Sequence, residues 1–396
     1  MVGEPAPAGG IDAAVRPVRL GAGGFPWLDT SRYTFSLGLA SAGRLWQAGH
    51  TAGVFDGERG RVGLPATMRD QADICWDKTL AVLAAAGSSP AGLRCVTEYV
   101  TTAGLADHGV AAEVRRERLG DAAPPVRTVV VESLVRPGAL LEVEVEAEVA
   151  EARDAAGRDP AVVAAHPAVL HLPSLRGRGE TLAAQVRSAL VEASRRLGAL
   201  GASLSNVVNT VEFTLPATRS DYRGTGEVRR ELLGPDFPAA TGILASRLAE
   251  PGALVSIDVT AVVAPRSVVN PGWAMFDRLT FSPAVRCGDL VFLSGTTGLD
   301  PDTGRVRAAG DVAGQAEAVF DQFDTVLRAA GGRGLADLVK TVEFVPSAAL
   351  DGYRAVSEVR RRRLAEPFPV STGVACASLL QPDWLIEING VAVVAS

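Results

Sequence analysis

Three stretches decide the fold: LRCVTEYVTTAGLADHGVAAEVRRERLG at 93–120, LSNVVNTVEFTLPATRSDYRGTGEVRRELLG at 204–234 and LADLVKTVEFVPSAALDGYRAVSEVRRRRLAE at 335–366. Each reads as a short strand, a loop, and a helix that closes on EVRR and a leucine. The spacing is stricter than the similarity. Gln71, Gly87, Glu98, Glu113 and Pro124 recur as Gln185, Gly201, Glu212, Glu227 and Pro238, each 114 residues on. The third copies, Gln315, Gly331, Glu343, Glu358 and Pro369, follow the first by 244 or 245. One period held over five landmarks marks a supersecondary unit used three times.

Around these stretches the rest of each unit is readable. Thr67–Ala86 carries Ala72, Cys75, Thr79, Leu80 and Leu83 on one helical stripe. Gly87 and its copies stop the helix, as a left-handed closing residue does. An alternating strand follows, then the EVRR helix, whose Glu–Arg pairs read as a solvated face. A hairpin turning at Pro137-Gly138 or Pro251-Gly252 ends the unit. Two strands precede the first helix, clearest in LWQAGHT (45–51) and VFLSGTT (291–297) and shortened at Val169–Gly177.

Each unit therefore reads ββαβαββ, a mostly antiparallel sheet covered on one face by two helices, an α+β layer. The bare face of each sheet must also be buried, and three units can pack those faces around an axis. The boundaries expected are an extension at 1–30 and units at 31–150, 160–265 and 276–396. The polar Glu151–Asp159 and the proline-bearing Ala264–Asp277 read as linkers.

Composition narrows the function. The 396 residues carry 39 basic and 45 acidic side chains, a formal charge of −6 with no basic tract, which argues against nucleic acid. No apolar run reaches a membrane span, and Met1–Gly24 lacks the apolar core of a signal peptide, so the chain reads as cytoplasmic. Four scattered cysteines without a CxxC point to neither a disulfide framework nor zinc, and Cys376 reads as a core residue. GAGG at 21–24 precedes Phe25-Pro26, not a helix, so it is no phosphate loop. His108, His166 and His171 fit no constellation and read as structural or exposed.

The third unit, with FSPAVRCGDLVFLSGTTGLDPDTGRV, TVEFVPSAALDGY and FPVSTGVACASLLQPDWLIEINGVAVV, resembles the RidA (YjgF) family along its length. The first unit matches from Phe35 through RLWQAGHTAG to LEVEVEAEV, and the second from the Gln185 helix to VSIDVTAVV. Members are single units that assemble as trimers with clefts between subunits. The resemblance implies three tandem RidA-like (chorismate mutase-like) units forming an intramolecular pseudo-trimer around a central β-barrel. The chain would be a monomer in this sense, with further pairing into a dimer left open.

RidA-like enzymes hydrolyse 2-imino acids or their enamines to 2-keto acids and ammonia, without cofactor or metal. An arginine grips the carboxylate and a glutamate directs water. The resemblance assigns the arginine to Arg127 in Pro125-Val126-Arg127-Thr128 and the acid to Glu142 in LLEVEVE. It assigns the strand-end glycine to Gly49, followed by His50 as a proton shuttle. Phe35 stands where the family carries Tyr, and Val129, beside Thr128, where it carries Cys. At the Arg position the other units show Ala240 and Ser371, and at the Glu position Ser256 and Glu387. One competent cleft is therefore expected, on Arg127 and Glu142, closed by a neighbour through Phe281. Ser294, Gly295 and Glu387 leave a different ligand conceivable in the third unit.

From the residues alone, Glu142, Glu144, Glu146 and Glu148 share one strand face and read equally as a solvated row. Arg127, inside an apolar strand, needs a partner. Three functions stay open. The first is a RidA-like deaminase of a small carboxylate. The second is a chorismatase-like enzyme of secondary metabolism acting on a cyclic or aromatic carboxylate. The third is a non-catalytic metabolite binder.

Overall fold

The structure, a computed structural model, describes residues 15–20, 33–149 and 168–395. GAGG, His166 and the Glu151–Asp159 linker lie outside the described residues. The architecture is α+β: three mixed sheets, each with a pair of main helices packed on it.

The helices start and stop as the sequence dictates. Met68–Ala85, Leu182–Ala199 and Val312–Ala329 are capped by Thr67, Thr181 and Asp311, whose side chains accept from Asp70, Ala184 and Ala313 N–H groups. They end at Gly87, Gly201 and Gly331, all at positive φ (79°, 74° and 86°), a conformation glycine adopts without strain. The second helices are His108–Leu119, Gly226–Leu233 and Val356–Arg363.

The sheets share one plan. In the first, strands run in the order Gly38–Ser41, Arg44–Gln47, Leu141–Glu148, Leu93–Thr101, Val126–Val131, and only the last pair is parallel. The third repeats it with Ala284–Cys287, Leu290–Thr297, Glu387–Val393, Leu338–Pro346 and Val370–Cys376. The second keeps Val255–Val262, Val207–Thr214 and Ala239–Leu244 but begins with only Val169–His171 and Leu175–Arg176. Two expected connectors contribute strands instead. Arg16–Pro17 of the extension pairs with Leu39 and Ala40, and Ser267–Val269 of the second linker pairs with Ala284–Arg286.

The sheets do not close into the expected central barrel. Ser133–Leu134 pairs with the third sheet through Val374 and Ala375, and Ser378–Leu379 pairs with the second through Ile243 and Leu244. Where the second and first sheets meet, the Ser246 N–H instead donates to the Glu132 side chain at 3.2 Å. A side-chain contact cannot carry a strand ladder, so that side stays unpaired.

Three cores lie between sheets and helices, and two apolar clusters are shared by all three sheets. One joins Leu39 and Trp46 with Val208, Ala239, Val285 and Phe292. The other joins Tyr99 and Val129 with Phe213, Ile243, Phe344 and Val374. These shared clusters bury the bare sheet faces.

The EVRR helices correct the solvated reading. Their first arginine turns inward in every copy and pairs with the buried strand glutamate: Arg115 with Glu98, Arg229 with Glu212, Arg360 with Glu343. Each glutamate takes a second bond from one equivalent position. His108 Nε2 lies 2.7 Å from Glu98, and the Tyr222 and Tyr353 hydroxyls donate to Glu212 and Glu343 at 3.2 and 2.7 Å. A buried carboxylate needs a cation and hydrogen bonds, and that need outweighs the solvation of the arginine.

Candidate functional site

The pleat of the Leu141–Glu148 strand sets the site. Leu141, Val143 and Val145 join the helix-side core, so Glu142, Glu144 and Glu146 turn to the other sheets. Glu142 and Glu144 are buried, while Glu148 is exposed and held by Arg94. The glutamate row is a solvated face only at that end.

Both lysines of the chain serve this row. Lys340, from the third sheet, bridges Glu144 at 2.6 Å and Glu146 at 2.7 Å. Burial alone would lift Glu146, but Lys340 and then His171 pull it down to about 2. Lys78 donates to the Thr51 and Gly53 carbonyls at 2.7 and 2.6 Å. Burial lowers it to about 8.

Glu142 pairs in register with Thr51 and Tyr99, and it packs so tightly under Gly49 that a Cβ there would strike its carboxyl. Burial, then the neighbouring Glu144, raises Glu142 to about 8 against the opposing pull of Lys78 and Arg136. At neutral pH it carries a proton. His50 beside it corrects an expectation: burial and then Lys78 drop it to about 3, and its Nε2 is buried without a hydrogen bond. It does not shuttle protons near neutrality.

The expected pair of Arg127 and Glu142 is not assembled. Arg127 reaches the second sheet, donating to the Leu172 carbonyl at 3.2 Å, the Val259 carbonyl at 2.7 Å and the Thr260 hydroxyl at 2.9 Å. Glu142 lies where the first sheet meets the third: the Gly49 N–H donates to the Thr372 hydroxyl at 3.0 Å, and Ser36 bonds to Phe368 and Pro369. An arginine and a glutamate of one unit thus belong to different junctions, because Leu93–Thr101 lies between their strands: Val126–Val131 is an edge of the sheet, whereas Leu141–Glu148 is paired on both sides.

Register also corrects the equivalents of Arg127. It sits opposite Thr97, one residue before Glu98, and Thr241 and Thr372 hold that place opposite Val211 and Val342. The positions expected, Ala240 and Ser371, are one residue off. Neither threonine supplies a cation.

The remaining expected residues are in large part engaged. Phe35 stacks on Tyr33 at the first–third junction. Thr128 N–H donates to Ser174, and Val129 is buried in the shared core. Phe281 does not close the Arg127 side. It packs edge-on against Phe276, next to Ser282, which bonds to Phe237 and Pro238 of the second sheet. Ser294 accepts from Ala240 N–H, and Gly295 N–H donates to Thr241 at 3.1 Å. Glu387 is raised to about 8 by burial, with Oε2 left unbonded. The second–third junction thus copies the first–third one, without Lys78: Gln322 stands in that place and donates to the Thr297 carbonyl at 3.0 Å.

Sequence reasoning missed Arg136. It precedes the Pro137-Gly138 turn and was legible only as turn chemistry. Its Nε lies 2.7 Å from where a Gly53 Cβ would be, and among the described residues no hydrogen bond or ion pair engages its guanidinium. It lines a cavity of about 410 Å³ with Val62, Leu64, Pro65, Ala66 and Leu140. Arg136, Lys78 and Glu142 thus surround the Gly49–Gly53 segment. A smaller cavity of about 70 Å³ on the shared interior is walled by Arg127, Glu144, Glu146, His171, Asp258 and Lys340, of which Lys340 pairs with both glutamates.

Among the described residues, no cluster of three or more His, Cys, Asp or Glu is placed to hold a metal, and no helix is long and apolar enough to cross a membrane. The four cysteines are buried and unpaired.

The chain belongs to the RidA (YjgF) superfamily. Residues 275–394 match the family described as Endoribonuclease L-PSP. A RutC family protein of Pyrococcus horikoshii is 30% identical over 112 residues, 28% of this chain and 85% of that protein. The 2-iminobutanoate/2-iminopropanoate deaminase of Dermatophagoides farinae is 25% identical over 132 residues, 33% of this chain and 99% of its own. A crystal structure of a chorismatase matches 76% of this chain and 93% of that one with a TM-score of 0.52 and 18% identity, a likeness of fold.

Proposed function

We propose that the chain is a covalent pseudo-trimer of three RidA-like units, at 31–150, 160–265 and 276–396. In our reading it hydrolyses a carboxylated imine or enamine at the first–third junction. The observation that carries this is an unbonded guanidinium, Arg136, packed on Gly53, four residues along the chain from Gly49, which covers the buried Glu142 carboxyl.

Arg136 binds the substrate carboxylate. Glu142 protonates the imine nitrogen or the enamine carbon, making C2 electrophilic. Water adds to C2 and gives a proton to Glu142, which passes it to the amine nitrogen; as the C–N bond breaks and ammonia leaves, Glu142 takes the hydroxyl proton and the ketone forms. Imine plus water gives 2-keto acid plus ammonia, so no further reactant is required. Lys78 and the closed packing around Gly49 keep Glu142 out of bulk water. The named deaminase among the relatives supports this reaction class.

A proton-bearing carboxyl would equally serve to protonate the double bond of a cyclic enol-ether carboxylate, the second reading. One assay separates the two. An amino-acid oxidase generates 2-imino acids in situ, and their disappearance is followed with and without the protein and with Glu142→Gln. Faster loss that the variant abolishes supports imine hydrolysis. No imine loss, but turnover of an enol-ether carboxylate, supports the second. Saturable binding with neither reaction makes the chain a binder.

A further inference from the structure

The cavity beside Arg136 specifies its ligand by what its walls leave unsatisfied. Apart from Arg136, the one polar side chain lining it is Gln71. That amide is fully committed: Nε2 donates to the Pro65 carbonyl at 2.9 Å and the Gly138 carbonyl at 3.3 Å, and Oε1 accepts from Leu140 N–H at 2.8 Å. Arg136 is then the only lining side chain with hydrogen bonds to give, and all of them are donors. The other side-chain walls are Val62, Leu64, Pro65, Ala66, Pro137 and Leu140. At about 410 Å³ and open to solvent on one side, the cleft far exceeds what a three-carbon acid fills.

We propose that this cavity takes a carboxylate with a bulky apolar body, branched or aromatic, in place of a two- or three-carbon imino acid. The planar guanidinium fixes the carboxylate by two parallel bonds, and the apolar body displaces water from the wall of Val62, Leu64 and Leu140. The inference deepens the deaminase reading by naming its substrate class, but binding does not depend on catalysis.

Stable 2-keto acids, the products of such a reaction, test it. Calorimetric titration of the full chain with phenylpyruvate, 4-methyl-2-oxopentanoate and pyruvate should show the first two binding at least tenfold tighter than pyruvate. Phenylacetone, which lacks the carboxylate, should bind at least tenfold weaker than phenylpyruvate. Arg136→Met should weaken every keto acid at least tenfold. Ala66→Trp, which places a large ring in the cavity from an exposed position, should erase the preference for the bulky acids. Pyruvate binding as tightly as phenylpyruvate, phenylpyruvate binding untouched by Arg136→Met, or no keto acid binding at all would each overturn the proposal. Imine turnover without the bulky preference would sink the substrate class and keep the reaction. The bulky preference without imine turnover would do the reverse.

Discussion

The Gly49 amide donates to the Thr372 hydroxyl across the junction of the first and third sheets, 3.0 Å away. That hydroxyl donates in turn to Glu144. In register, Thr372 holds the place that Arg127 holds in the first sheet. The expected cation of this junction is thus replaced by a neutral link that satisfies a backbone N–H and a buried carboxylate together. On the proposed reading a ligand carboxylate here finds its cation elsewhere, in Arg136, whose guanidinium is unbonded among the described residues.

Thr372→Val keeps the shape but orphans the Gly49 N–H and one Glu144 oxygen. Each buried, unsatisfied group costs on the order of 1–3 kcal/mol. With two groups left unsatisfied, urea denaturation should show a loss of about 2–6 kcal/mol, with an unchanged slope. A loss too small to measure would mean that water replaces the hydroxyl.

Arg360→Met leaves the Glu343 carboxylate buried beside Tyr353 and Ser371. Removing one partner of a buried pair costs about 3–5 kcal/mol. By contrast, Arg69→Ala, which breaks the exposed Arg69–Glu117 pair, should leave the denaturation midpoint unchanged. Equal effects of the two substitutions would contradict the burial argument.

Lys78→Gln imitates the third unit, where Gln322 makes the same tie to a strand carbonyl without a charge. The fold should survive. Lys78 is one of two cations restraining the proton affinity of Glu142, against burial and Glu144, while Arg136 remains as the other. Losing it should therefore move the Glu142 titration upward from about 8, read by NMR of carboxyl-labelled glutamate. An unmoved titration would remove Lys78 from the site.

Stability should depend on pH with opposing signs. Glu142 and Glu387 have folded-state values near 8, above the unfolded value near 4.5, so their contribution is full below 4.5 and is lost as pH rises to 8. Glu146, lowered to about 2, contributes above 4.5 and loses this as pH falls toward 2. His50 and His171, lowered to about 3 and 4, weaken the fold as pH falls below 6.5, where only the unfolded chain takes up their protons. Glu142→Gln should flatten the decline between pH 6 and 8 by up to about 1.4 kcal/mol per pH unit. An identical slope in the variant would mean that Glu142 titrates normally.

Much of the fold was legible because its signals are local. The helical stripe of Ala72, Cys75 and Leu83, the closing Gly87 and Gly201, and the alternation of Leu141 with Glu142 each act within a few residues. The five-landmark period carried these readings from one unit to the next. The site was less legible, because it is made between units. Sequence puts Arg127 and Glu142 on the two arms of an expected closing hairpin, but Leu93–Thr101 lies between those arms in the sheet. The same ignorance of pairing hid the inward arginines of EVRR, whose partners Glu98, Glu212 and Glu343 lie on another element. Lys78 could have been noticed, since the chain has only two lysines and its counterpart in the third unit is Gln322.

The central claim is that substrate is held where the first and third sheets meet, by Arg136, and not by the family-position Arg127. The direct measurement is the rate of imine loss for Arg136→Met and Arg127→Met, each checked for folding by circular dichroism and supplied with imines made in situ. The account predicts at least a tenfold fall in kcat/KM for Arg136→Met and a near wild-type value for folded Arg127→Met. Activity lost with Arg127 and kept without Arg136 would contradict it.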